Sequence, residues 1–251
     1  MWVSRDPQKS AGKLWAHLLK CVGMTKLYPI LLMEIYIPEN LRGRPEMKAF
    51  VQANSGRPWH SGELSPAEIK GIDDVEPGIV LARWWRDKYG GRGLDARGLP
   101  GAIPLGFAGP PVTSNVTRVD PDDFSARIVE KCFGLAELTG RDDSPFLGLV
   151  PAADGASAIV ACGWLSRAGD VTDTAAVIRS WQRRFGARLC VLGMDLLVMT
   201  VAWPPGTREE ARQVALEHDA FSDIIDTDID TYAAHLVNCP VWRFWWDLKN
   251  N

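Results

Sequence analysis

The sequence predicts an α+β protein. It is expected to have an antiparallel sheet with helices on one face, a ferredoxin-like C-terminal half (β-α-β-β-α-β) and an N-terminal half that is a smaller α/β lobe. Three observations predict this. Short apolar runs of strand length alternate with segments whose apolar residues recur at helical spacing. In the C-terminal half, with neighbouring helices merged, these segments follow the order of the split βαβ unit. Between them lies "YGGRGLDARGLPGAIPLGFAGPP", whose Gly and Pro content suits a long loop or a linker. The two parts are therefore expected at 1–110 and 120–251.

Taken in order, "MWVS" is a short extended start. "SAGKLWAHLLKCVG" is a helix with Leu14, Trp15, Leu18, Leu19 and Val22 on one face, Ser10 as its cap and Gly23 as its stop. "LYPILLMEIYI" is apolar on both faces and suits a buried strand; it is too short to span a bilayer and carries Glu34. Residues 38–74 are polar and irregular. "EPGIVLARWWRDK" is a helix with Val80, Leu81, Trp84, Trp85 and Lys88 on one side. "DPDDFSARIVEKCFGLAELTG" is a helix capped by Asp120, with Pro121 in its first turn and Gly140 as its stop.

"PFLGLV" is a strand and "DGASAIVACG" a short helix. "DTAAVIRSWQRRFG" is a helix capped by Asp173 and ended by Gly186, with Val177, Ile178, Trp181 and Phe185 inward. "RLCVLG" and "LLVMTVAW" are antiparallel strands joined by a tight link. The next helix opens with a capping box, Thr207 to Glu210. "DTYAAHLVN" is a short helix. "VWRFWW" closes the series as a strand, with Trp242, Phe244 and Trp246 on one face and Val241, Arg243 and Trp245 on the other. The first set is core, packed against Trp181 and Phe185; the second is where a partner would be met.

Net charge is -3, so the chain lacks the overall positive charge of a general nucleic-acid binder. The five Cys are scattered, with no C-x-x-C pair. A reducing, cytoplasmic setting is expected, with no disulfide framework and no finger-type zinc site. No secretory signal is read at the start, and no membrane association is expected. The glycine-rich stretch holds neither a P-loop nor a strand-flanked G-x-G-x-x-G, and no G-x-S-x-G or H-E-x-x-H occurs. No cofactor is expected. "DIIDTDIDTY" spaces Asp223, Asp226, Asp228 and Asp230 somewhat like a calcium loop. It lacks the central Gly and the twelfth-position Glu, so these carboxylates are read as helix caps and no metal is expected.

Several residues are candidates for a working site. His218 shares a helical face with Ala211, Val214 and Ala215, so it points inward; it is either a satisfied core histidine or an acid/base group near Glu217 or Asp247. The loop "RPWHSGEL" holds Arg57, Trp59, His60 and Glu63, residue types that bind ligands or pin a loop to its scaffold. Arg183, Arg184 and Arg188 cluster at a helix end, where they complement the dipole or hold an anion. Candidate catalytic residues are thus His218 and Asp247, and candidate binding residues Arg57, Trp59, Glu63, Arg184 and Trp245. If the loop and the second half enclose a cleft, Glu63 or Asp247 should raise the His218 pKa.

The blocks "LYPILL", "RPWHSGEL", "LARWW", "CGWLS", "IRSWQRRFGARL", "WPP", "ALEHDAF" and "VWRFWWD" together resemble the domain-of-unknown-function 4253 family, largely actinobacterial and phage-encoded. The resemblance is strongest from 146 to 247. It implies no particular activity, substrate or cofactor. Where that family usually reads close to "EHFAFCPD", this chain has "EHDAFSDIID".

Two functions fit these residues. The first is a non-catalytic binding or protein-interaction module, of the kind found in phage or bacterial conflict, with a protein partner or a small ligand. The second is an enzyme that uses His218 and a carboxylate as acid and base between the lobes. A His218 open to solvent beside a carboxylate marks the enzyme; a closed interior around it marks the binder.

Overall fold

The computed structural model describes residues 1–33, 45, 71–89, 119–131, 144–164, 170–193, 196–222 and 227–246. They form one six-stranded mixed sheet flanked by helices, an α+β architecture. The strands are β1 (Trp2–Val3), β2 (Leu27–Leu32), β3 (Phe146–Pro151), β4 (Ala187–Leu192), β5 (Leu196–Val201) and β6 (Val241–Trp245). Their order across the sheet is β1-β3-β2-β4-β5-β6. All neighbours are antiparallel except β2 and β4, which run parallel through Leu31 and Leu32 beside Val191 and Leu192.

The antiparallel β4–β5 pair is as expected, with a bulge between Leu189 and Val191. Two features differ from the expectation. The strands of the C-terminal half are not contiguous, because β2 stands between β3 and β4; the ferredoxin-like order would need no such insert. The sheet is also covered on both faces. Met199 and Thr200 are successive residues of β5 and point to opposite sides. Met199 pairs with Trp242, whose ring meets Trp181 at 5.8 Å. Thr200 donates a hydrogen bond to Ser125 on the other side. Every residue of β5 is buried, which requires cover on both faces.

One layer holds α1 (Ala11–Lys20), the turn α2 (Val22–Thr25) and α4 (Pro121–Lys131). Asp120 caps α4, accepting from the amides of Asp122 and Asp123. On α1 the buried stripe is Ala11, Trp15, Ala16 and Leu19, rotated from the expected one, and Leu14 is exposed. The rotation follows from close packing: a Cβ at Gly12 would sit 2.8 Å from the Val129 carbonyl of α4. Ser10 makes no side-chain cap, and Lys26 rather than Gly23 takes the left-handed turn before β2.

The other layer holds α3 (Pro77–Tyr89), α5 (Gly155–Ala161), α6 (Val171–Phe185), α7 (Arg208–Phe221) and α8 (Ile229–Leu236). Asp170, three residues earlier than expected, caps α6 through the Thr172 amide, and Gly186 ends it at φ 59°. The capping box of α7 is present as expected. Asp228 caps α8 by accepting from the amides of Asp230 and Thr231. The calcium-like spacing is thus partly a helix start; Asp223 and Asp226 lie outside the described residues.

Candidate functional site

Of the polar residues that sequence reasoning singles out, Glu217 and His218 lie on α7 and Arg184 reaches it from α6. Three consecutive residues, Glu217, His218 and Asp219, each have 0% exposure. Successive helical residues are ~100° apart, so three buried in a row means that α7 is encased over more than half its girth. Each of the three meets a different neighbour.

Glu217 faces α6. Arg184 grips its carboxylate with both guanidinium ends, at 2.7 and 2.8 Å, and the Trp181 indole N–H donates to it at 2.7 Å. A buried carboxylate needs such multiple donors to offset its lost hydration. Asp219 faces α3. Tyr89 donates to it at 2.6 Å, and the Lys88 ammonium stands 3.1 Å from its other oxygen. Lys88 also donates to the carbonyls of Asp219 and Ser222, so a cation on α3 caps the C-terminal end of α7.

His218 faces the sheet and α8. Its Nδ1 lies 3.0 Å from the Tyr232 hydroxyl, while its Nε2 is buried without a hydrogen-bond partner among the described residues. Trp181, Trp242 and Phe244 wall the ring at centroid distances of 5.1, 4.6 and 4.7 Å, each near 70° to it. Burial, followed by the nearby Arg184 charge, pushes the His218 pKa down to about 3. The imidazole is therefore neutral at ordinary pH. This direction is opposite to the rise expected for a carboxylate-lined cleft.

The closing strand packs as the sequence suggests. Phe244 stacks on Trp181 at 5.2 Å and 6°, and Trp242 meets Phe185 edge-on at 5.2 Å. Trp246 joins the same layer against Trp164 and Phe221. On the opposite face of β6, Arg243 is exposed and Trp245 half-buried. The arginine cluster does not gather. Arg183 pairs with Asp73, Arg184 with Glu217, and Arg188 with Asp122. Arg57, Trp59, His60, Glu63 and Asp247 lie outside the described residues. Among the described residues, no three His, Cys, Asp or Glu side chains gather as a metal set, and no helix is long and apolar enough to cross a membrane.

The family model "Domain of unknown function (DUF4253)" matches residues 146–247. The chain carries a DUF4253 domain. Its limits enclose β3 to β6 and α5 to α8, and so the Glu217–His218–Asp219 cluster. No curated protein and no solved structure matches the chain. The "EHDAF" block of the DUF4253 domain is thus a docking segment, and its three polar residues join α7 to three neighbours. Ser222, just past that block, donates to the His218 carbonyl at 3.1 Å and receives Lys88 on its own.

Sequence reasoning places His218 inside but misses the partners of the cluster: Tyr232 for His218, and Lys88 and Tyr89 for Asp219. Tyr232 and Tyr89 lie in other helices and nothing in their local pattern marks them, whereas Lys88 stands out as a cation on the apolar side of α3. A second signal is "EHD" itself. These three polar residues run through a helix whose flanking residues Ala211, Val214, Ala215, Ala220 and Phe221 are apolar, and all five are buried. A polar run set among such flanks has to be covered by contacts on several sides.

Proposed function

We propose that the protein is a binding or protein-interaction module in which the His218 cluster is structural. The observation that supports this is the sealed imidazole: His218 has 0% exposure and, among the described residues, a single side-chain hydrogen bond, to Tyr232. An acid/base residue must reach the proton it moves, directly or through one water. Binding is assigned to the outer face of β6, where Arg243 and Trp245 stand on the same side of a strand at the edge of the described sheet. A cation next to an indole is a common pairing at protein interfaces. The partner inferred is a cytoplasmic protein, with phage or bacterial conflict as the setting suggested by analogy. Arg57, Trp59 and Glu63 are proposed as further binding residues.

The test is affinity capture with the tagged full chain, compared with Arg243→Glu, Trp245→Ala and a control, Met24→Ser, at an exposed residue of α2. A partner held by wild type and control but lost by both β6 variants supports the reading. A partner held equally by all four rules out this face. An activity that disappears in a folded His218→Gln variant overturns the non-catalytic reading.

A further inference from the structure

The surroundings of His218 make its protonation incompatible with the packing of α7 and α8. The imidazolium would carry two N–H donors. Nδ1 has one neutral partner, the Tyr232 hydroxyl on α8, and Nε2 has none among the described residues. The charged groups around it are already committed. On α6, Arg184 is a cation held by Glu217. On α7, Glu217 serves Arg184 and Trp181, and Asp219 serves Lys88 and Tyr89 of α3. From β6 come the apolar rings of Trp242 and Phe244. On α8, Asp230 is turned to Arg212 and His235 is exposed. Among the described residues, no carboxylate is left to receive a charged ring. Tyr232 is half-buried, so α8 is the layer between His218 and solvent.

We propose that His218 is an acid-sensitive latch: taking up a proton in mildly acidic solution releases α7 and α8 from the aromatic face of the sheet. The folded ring has its pKa lowered from 6.5 to about 3 by burial and by Arg184, so the folded state favours the neutral form. The stability this supplies is full above about pH 6.5 and is lost progressively as the pH falls toward 3. Each pH unit in that window lowers the folding equilibrium constant on the order of tenfold for one proton bound on opening.

The experiment measures that constant by denaturant titration of the full chain at pH 7, 6 and 5. It compares wild type, His218→Gln, and His235→Gln as the exposed-histidine control. Wild type and His235→Gln should lose close to tenfold per unit below pH 6, and His218→Gln should lack this loss. Equal slopes in all three proteins overturn the latch. Ring nitrogen NMR of wild type decides the matter if His218→Gln fails to fold. The His218 signals should remain those of a neutral ring until the fold opens. A ring that titrates near pH 6.5 within the folded protein, with no change in the folding constant, also overturns it.

Discussion

Trp181 ties the aromatic cluster behind β6 to the polar residues of α7. It stacks on Phe244, meets Trp242, Phe221 and His218 edge-on, and donates to Glu217. Trp181→Ala should cost about 3–5 kcal/mol in chemical denaturation, the usual range for a buried aromatic; an unchanged midpoint would contradict the packing. The Arg184–Glu217 pair makes a second prediction. Glu217→Ala leaves a buried guanidinium without its carboxylate and should cost about 3–5 kcal/mol, whereas Arg184→Met with Glu217→Met should recover much of it. A double variant as unstable as the single one would show that the pair stabilises by more than mutual neutralisation. Cysteine reactivity gives a third. Burial pushes the Cys162 thiol up to about 12, so its neutral form stabilises the fold below pH 9 and that contribution is lost as the pH rises from 9 toward 12. At pH 8 an alkylating reagent should label half-buried Cys21 and Cys239 well before Cys162 and Cys190, read by mass spectrometry.

Among elements, α3 buries Val80, Leu81, Trp85 and Tyr89 and is tied to its neighbours by ion pairs along its edge. Arg83 pairs with Asp173 of α6, Lys88 clamps the end of α7, and Trp84 leans on Phe221 at 5.9 Å. Below it, Asp73 bridges Arg179 and Arg183 of α6. Lys88→Ala leaves the buried Asp219 carboxylate with one donor less and uncaps two carbonyls. It should speed amide exchange across 77–89 and 219–222 while leaving that of β4 and β5 unchanged. Exchange that rises equally in all these segments would mean that α3 is not a separate unit. At this scale the sequence is informative where a cap is local. Asp120, Thr207 with Glu210, and Gly186 are legible because each acts within a few residues of its own helix. The cap of α6 is Asp170 and not the expected Asp173 because the helix starts at Val171, which leaves Asp173 in its first turn, paired with Arg83, 90 positions away. The α1 stripe departs from expectation because the close approach of α4 at Gly12, not hydrophobic periodicity alone, sets its rotation.

Over the whole molecule, the DUF4253 match begins at 146, yet its strands β3 and β4 do not pair with each other: β2, from residues 27–32, lies between them in the sheet. Tyr28 reinforces that arrangement by donating to the Leu189 carbonyl at 3.0 Å. A segment cut at 146–247 would present two open strand edges in place of β2. It should be unfolded or associated by light scattering, and coexpression with 1–33 should not fully restore it without α3. A stable, monomeric excised segment would show that the sheet closes without β2. By itself the sequence determined the α+β class, the strand face carrying Trp242, Phe244 and Trp246, the caps at Asp120, Gly186 and Thr207 with Glu210, and the inward direction of His218. Each of these follows from periodicity or from bonds within a few residues. Only the tertiary structure decided that β2 lies between β3 and β4, that both faces of the sheet are covered, and that Glu217, His218 and Asp219 are consumed in docking. Strand order and the partners of buried charges depend on contacts between residues far apart in the chain, which local pattern does not encode.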